Sequence, residues 1–148
     1  MSYAESDSET KEAIELSILK GMHVIAVVGC SREQGKPSHD VPEYLQSVGY
    51  KIIPVNPFAD YILGEKAYKS LLAIEKERGI EVVEVFRPAG EALDIAKQAV
   101  ETGARALWLQ EGIFNDAAME YAISHNLLAV QNRCMMKEHY RLSGEGKL

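Results

Sequence analysis

From Gly29 to Ser38 the chain reads Gly29-Cys30-Ser31-Arg32-Glu33-Gln34-Gly35-Lys36-Pro37-Ser38, directly after the apolar run Val24-Ile25-Ala26-Val27-Val28. A loop of this kind, between a buried strand and the start of a helix, turns backbone N–H groups, hydroxyls and a helix N-terminus toward an anion, usually a phosphate. The spacing then sorts the anions. A nucleoside-triphosphate loop needs G-x-x-x-x-G-K-[ST]. Here five residues separate Gly29 from Gly35, and Pro37 stands between Lys36 and Ser38, removing a donor. No later strand ends in an aspartate placed for magnesium. A dinucleotide loop needs G-x-G-x-x-G and an acid at the end of the second strand. The chain has no glycine from Cys30 to Glu33, and its second apolar run ends in Asn56-Pro57. Asparagine bonds a ribose less strongly than an acid, so NAD remains an open but weaker reading. A nucleotide with a diphosphate and no need for that acid fits better. Coenzyme A is one, its diphosphate held by backbone N–H groups, Ser31, Ser38 and Lys36, and its adenosine over the ends of the second and third strands.

Other residues with chemical capacity are fewer. Arg87 follows an apolar strand pattern, where an arginine seldom serves packing alone; an ion pair with a nearby acid is the plainer account. Gln110 holds either a cofactor or loop backbone. Trp108 lies inside an apolar run and reads as core. Cys30 beside a helix N-terminus invites a nucleophile reading, but no general base stands near it in sequence. It reads instead as a small buried residue next to the phosphate seat. Cys30 and Cys134 form no Cys-x-x-Cys pair, and His23, His39, His125 and His139 are scattered, so no metal site is expected. No Ser/His/Asp set or carboxylate pair forms a catalytic constellation. The expectation is a binding protein rather than an enzyme.

These residues must be positioned by an alternating chain. Helix signals cover Ser8–Lys20, with Gly21 as the stop; Ser38 or Asp40 capping a helix to Val48; Ser70 capping a short helix through Arg78; Pro88 in the first turn of a helix to Thr102; and Asn115 or Asp116 capping a helix to His125. A last helical turn runs from Met135 to Arg141, ahead of a polar tail. Strand signals cover Met22–Val28, Lys51–Val55, Glu81–Phe86, Arg105–Gln110 and Leu127–Val130, with Phe58–Tyr68 as loop. No hairpin signal interrupts them. The expected fold is α/β, a Rossmann-like three-layer α/β/α domain with a five-stranded parallel sheet, over the whole of residues 1–148. In such a sheet ligands bind outside the carboxyl ends of the strands, at the switch point beside the first strand. That rule brings Gly29-Cys30-Ser31, Val55-Asn56-Pro57, Phe86-Arg87-Pro88 and Gln110-Glu111-Gly112 to one edge.

With 148 residues, 47% apolar and 26% charged, the chain is of single-domain size. A formal charge of −6 argues against a general nucleic-acid binder. The polar, acidic start from Met1 to Asp7 is unlike a leader, and no apolar run approaches the roughly 20 residues of a membrane span. No membrane contact and a cytoplasmic location are therefore expected. A homodimer, or an acyl-CoA enzyme as partner, is the expected association.

The ordered segments Val27-Val28-Gly29-Cys30-Ser31, Lys36-Pro37-Ser38, Gly49-Tyr50, Ile53-Pro54-Val55-Asn56-Pro57, Leu63-Gly64, Val85-Phe86-Arg87, Trp108-Leu109-Gln110-Glu111-Gly112-Ile113 and Asn132-Arg133-Cys134 carry a resemblance. The chain resembles the small single-domain CoA-binding proteins, relatives of the N-terminal domain of the succinyl-CoA synthetase alpha subunit, from residue 22 to about 140. The resemblance implies that Ser31, Arg32, Glu33 and Gln34 carry the CoA diphosphate. It implies too that Phe86-Arg87-Pro88 lies against the nucleotide and that Glu111-Gly112-Ile113 forms the fourth-strand turn. The chain departs from the ligase subunit at Ala59, where the ligase has a CoA-contacting lysine. Lys66, Lys36 and Arg87 are the cations left for the ribose phosphate. The ligase's second domain, with its phosphorylated histidine, has no counterpart here, so ligase activity is not implied. The function expected is binding of CoA or an acyl-CoA by a non-catalytic carrier, sensor or partner protein. The alternatives are an NAD(P)-dependent oxidoreductase, and a CoA-dependent acyl transferase or ligase component completed by another chain.

Overall fold

The computed structural model describes residues 8–148; the acidic start, Met1 to Asp7, lies outside them. Helix α1 (Ser8–Gly21) leads into β1 (Val24–Val28), α2 (Pro37–Ser47) and β2 (Lys51–Val55). The chain continues through β3 (Tyr61–Ile62), β4 (Glu65–Lys66), β5 (Val82–Val85), α3 (Ala92–Glu101) and β6 (Ala106–Leu109). It ends with α4 (Asp116–Ser124), β7 (Leu128–Val130) and α5 (Met135–Gly144). The main sheet has five parallel strands in the order β2-β1-β5-β6-β7. Strands this apolar are stable only when both faces are covered. Helix α3 packs on α4 and against β5 and β6, while α2 packs on α5 and against β2. The result is the expected Rossmann-like three-layer α/β domain. Its chain reverses direction across the sheet between β1 and β5, the switch point at which such sheets bind ligands.

The connections depart from expectation in four places. Phe58–Tyr68 contains the hairpin β3–β4 rather than only loop. Two-residue strands carry too short a pattern for alternation to register. Ser70–Arg78 is two separate single 3₁₀ turns, Leu71–Ala73 and Lys76–Arg78, not one helix. Pro88 precedes a 3₁₀ turn (Ala89–Glu91), and α3 begins only at Ala92. Helix α5 runs to Gly144, past the single turn expected from Met135 to Arg141. Arg141 supplies the reason: it bonds Glu138 and Glu145 along its own helix and Glu12 on α1, near 3 Å in each case. The polar tail therefore has partners.

One residue sits against the grain of the core. Glu84, at the middle of the sheet, is fully buried among Val27, Trp108 and the rest of its register row. Neither of its carboxyl oxygens has a hydrogen-bond partner. Burial pushes its pKa up to about 8, so it is a neutral acid at pH 7. Glu15, buried on α1 near Arg133, is pushed up to about 7 by the same cause.

The sign of the consequence follows from linkage. The folded chain keeps protons that the unfolded chain releases above pH 4.5, so this contribution to stability is full below about pH 4.5 and is lost as pH rises toward 8. For Glu84 the loss approaches about 5 kcal/mol, at roughly 1.4 kcal/mol per pKa unit. Urea denaturation should show Glu84→Leu gaining on the parent chain by several kcal/mol between pH 5 and pH 8.5. A constant difference across that range would remove Glu84 as the cause.

Candidate functional site

The loop after β1 is fixed mostly by its own polar groups. The N–H of Ser31 donates to the Ser38 carbonyl at 3.0 Å, that of Glu33 to Ser31 Oγ at 3.0 Å, and that of Gly35 to Asp40 Oδ1 at 3.1 Å. His39 Nδ1 lies 2.8 Å from the Ser31 carbonyl. Asp40 and Ser38 therefore do not cap α2 as expected. Its N-cap is Lys36, with no side-chain bond, and Pro37 opens the helix. His39, Asp40 and Glu43 offer ligand atoms within 4.8 Å of one another. Two of these three are already engaged in holding the loop. Among the described residues, the N–H groups of Arg32, Gln34 and Ser38 meet no acceptor in the chain.

The strand ends are stitched across to one another. The Gly29 N–H donates to the Val55 carbonyl at 3.1 Å, and the Phe86 N–H to the Val28 carbonyl at 2.9 Å. Asn56 bridges two loops: its Nδ2 donates to the Cys30 carbonyl at 2.9 Å, and its Oδ1 accepts from the Phe58 N–H at 2.7 Å. Gly29 has φ +87°, and a Cβ there would stand 2.9 Å from both the Phe86 carbonyl oxygen and Arg87 Cδ. Glycine is needed for the conformation and for the close approach of the β1 and β5 loops.

Above this edge lies a cleft of about 800 Å³. Of the residues expected to bind, Gly29, Cys30, Ser31, Lys36, Ser38, Val55, Asn56, Pro57, Phe86 and Arg87 line it. Arg32, Gln34, Pro88 and Gly112 do not. Arg32 instead reaches the Phe58 carbonyl at 3.4 Å, and the Gly112 N–H donates to Asn132 at 2.8 Å, so both brace loops. Cys30 forms part of the floor. Burial, with Glu84 nearby, pushes its thiol up to about 12, so it stays protonated. Lys36 pairs with Glu33 at 3.0 Å, and Arg87 forks onto Glu91 at 2.9 and 3.2 Å. Exposed pairs like these contribute little, about 0–1 kcal/mol, and an incoming anion can exchange for the carboxylate. Lys66, a candidate cation in sequence, lies over the Tyr68 ring and lines neither chamber.

A second chamber of about 440 Å³ adjoins the first, sharing Ser38 and Phe86 as lining residues. Its wall includes Val41, Ile113, Cys134 and Met136, with Lys137 and Glu111 paired at 3.0 Å. Gln110 belongs here rather than to the first cleft. It is buried, and among the described residues its Oε1 has no hydrogen-bond partner. A buried carbonyl oxygen without a donor is costly, on the order of 1–3 kcal/mol, unless something that enters supplies one.

Several lining residues escaped the sequence reading: Phe58, Lys69, Ser70, Glu91, Asp94 and Gln98. The β5 residue Glu84 escaped as well, although an acid inside Val82-Val83-Glu84-Val85-Phe86 is itself a signal. For Lys69 and Ser70 no local pattern exists, because tertiary pairing of their segment with β2 brings them to the edge.

The chain is similar to known proteins in sequence and in fold. Residues 23–140 match a protein family described as a CoA binding domain. The uncharacterized protein YneT of Bacillus subtilis is 36% identical over 134 residues, covering 90% of this chain and 94% of that one. A solved protein of Pyrococcus horikoshii is 34% identical, with a TM-score of 0.82 and 97% of each chain covered. An ADP-forming acetate–CoA ligase of Methanocaldococcus jannaschii is 34% identical over 71 residues, which are 48% of this chain but 10% of the ligase.

The crossing at Gly29 gives a direct check on the site's construction. Gly29→Ala should lose about 1–3 kcal/mol in urea denaturation, from the positive φ and the contact with the Phe86 carbonyl. An unchanged midpoint would mean that the two loops are not in contact.

Proposed function

The chain belongs to the CoA binding domain family, and from that premise we propose that it binds coenzyme A or an acyl-CoA along the carboxyl edge of its sheet. The observation that carries the reading is the pair of adjoining chambers with unlike chemistry. The first is cationic and rimmed by the Gly29–Ser38 loop, which suits an adenosine diphosphate. The second is smaller, walled by Val41, Ile113, Cys134 and Met136 beside the Lys137–Glu111 pair, and holds the unpartnered Gln110 oxygen. An ATP molecule, which ends at its phosphates, would use the first alone. Coenzyme A carries, beyond its diphosphate, a long arm with two amide N–H groups, and an amide N–H is the donor that Gln110 lacks. Ser38 and Phe86, common to both chambers, would mark where the arm leaves the diphosphate.

The role proposed is that of a carrier, sensor or partner of an acyl-CoA enzyme, without chemistry of its own. Cys30, the thiol nearest the diphosphate seat, is held protonated and is a poor nucleophile at neutral pH. His39, the histidine nearest the loop, has its Nδ1 on the Ser31 carbonyl and its Nε2 3.6 Å from Glu43. No nucleophile and base face one another in the first chamber.

Isothermal titration with CoA, acetyl-CoA, ADP, ATP and NAD separates the alternatives. CoA and acetyl-CoA should bind at micromolar levels and more tightly than ADP, with no NAD heat. Gln110→Leu should weaken CoA by about fivefold, near 1 kcal/mol, and leave ADP unchanged. NAD heat without CoA heat would overturn the proposal in favour of an oxidoreductase.

A further inference from the structure

We infer that Lys69 and Ser70 form a second phosphate site, selective for a monophosphate ester on the nucleotide's ribose, so that the cleft distinguishes a 3′-phosphorylated nucleotide from its dephospho form. This rests on the proposed binding of coenzyme A and names the residues by which the cleft would recognise its adenosine end.

Backbone pairing along β2 delivers the segment to the cleft. Beyond the β3–β4 hairpin the chain returns alongside β2. The Asn56 N–H donates to the Tyr68 carbonyl and the Tyr68 N–H to the Pro54 carbonyl, both at 2.9 Å, and Tyr68 forms a parallel bridge with Val55. Tyr68 is buried and its hydroxyl is held by Glu75 and Arg78. Lys69 and Ser70 are thus fixed by backbone pairing beside Asn56-Pro57, and both line the first cleft.

The three cations of that cleft differ in how well they are neutralised. Lys36 and Arg87 each have a carboxylate within about 3 Å. Lys69 Nζ has the neutral Ala59 carbonyl at 3.2 Å and Asp60 at 3.4 Å, and the Asp60 side chain is 89% exposed. A water-facing carboxylate at that distance is a weak competitor for a phosphate dianion. Ser70 adds a hydroxyl that makes no capping bond to the turn it precedes. A lysine ammonium and a serine hydroxyl on adjacent residues are donors suited to a phosphomonoester.

The position also separates this site from the diphosphate seat. Lys36, Ser31 and Ser38 belong to the β1–α2 loop, whereas Lys69 and Ser70 stand past the end of β2. Phe58, 82% exposed, lines the same cleft and offers an aromatic face to a base. A nucleotide with its diphosphate on the loop would direct its ribose and base toward Phe58, and a phosphate on that ribose toward Lys69.

Calorimetry with CoA and dephospho-CoA, on the parent chain and on Lys69→Ala and Lys36→Ala, tests the assignment. The parent chain should prefer CoA over dephospho-CoA by about tenfold or more. Lys69→Ala should erase most of that preference by weakening CoA alone, while Lys36→Ala should weaken both ligands alike. Equal loss of both ligands in Lys69→Ala, or a parent chain that binds both equally, would overturn the inference and leave CoA binding intact. A parent chain that binds neither ligand would overturn the proposed function itself. Lys69 is exposed on a rim, so its truncation leaves the core untouched, and a matching urea midpoint verifies that.

Discussion

The site depends on one constraint: the ends of β2, β1 and β5 must converge closely enough for their outgoing loops to bond to one another. Gly29 permits the approach, because any Cβ there would press on the backbone of Phe86. Asn56 then fixes the geometry by serving the Cys30 carbonyl and the Phe58 N–H with one side chain. With these contacts in place, the first cleft is the space left above three stitched strand ends. Its polar rim is supplied by loops held through some of their own hydrogen bonds, and among the described residues the N–H groups of Arg32, Gln34 and Ser38 remain without an acceptor. A site built this way needs little rearrangement to accept an anion, which reduces the ordering cost of binding.

The electrostatics of the molecule follow the same division. The chain is acidic overall, at −6, yet Lys36, Lys69 and Arg87 are gathered at one cleft. Each of the three has a carboxylate beside it that a phosphate can replace, Asp60 on Lys69 being the most distant at 3.4 Å. Beneath them, Glu84 is kept uncharged by burial at neutral pH, so no fixed negative charge opposes an anion from below. Cys30 is likewise kept protonated. The floor of the cleft is therefore neutral, and its rim sets Lys36, Lys69 and Arg87 against Glu91 and Asp94, an arrangement that favours holding a phosphate rather than reacting with it.

Much of this was legible in the sequence where local patterns carry it. Continuous apolar runs separated by helix signals gave the parallel sheet, and the carboxyl-edge rule gathered Gly29, Ser31, Asn56 and Arg87 before any coordinates. The misfit of the Gly29–Ser38 spacing to the triphosphate and dinucleotide loops pointed to a different diphosphate. What stayed hidden depends on tertiary contact. The β3–β4 hairpin is too short for periodicity, and Lys69 reaches the cleft only because Tyr68 pairs with Pro54 and Asn56. Asp40 and Ser38 resemble helix caps in sequence, but the helix opens earlier, at Pro37 with Lys36 as its N-cap, so both lie inside its first turn, and Asp40 Oδ1 accepts from the Gly35 N–H instead. Gln110 was singled out correctly as a strand-end residue, yet its place in a second chamber required the approach of α5 and the start of α2.

The central claim is that one ligand occupies both chambers across the Ser38–Phe86 junction. Amide chemical-shift mapping on titration with coenzyme A tests it most directly. Shifts should appear together at Gly29–Ser38, at Asn56 and Phe58, at Lys69 and Ser70, and at Gln110 to Ile113. ADP, which has neither the 3′-phosphate nor the arm, should move the first two groups and leave the last two unchanged. Shifts confined to residues remote from the carboxyl edge, or identical patterns for CoA and ADP, would contradict the account.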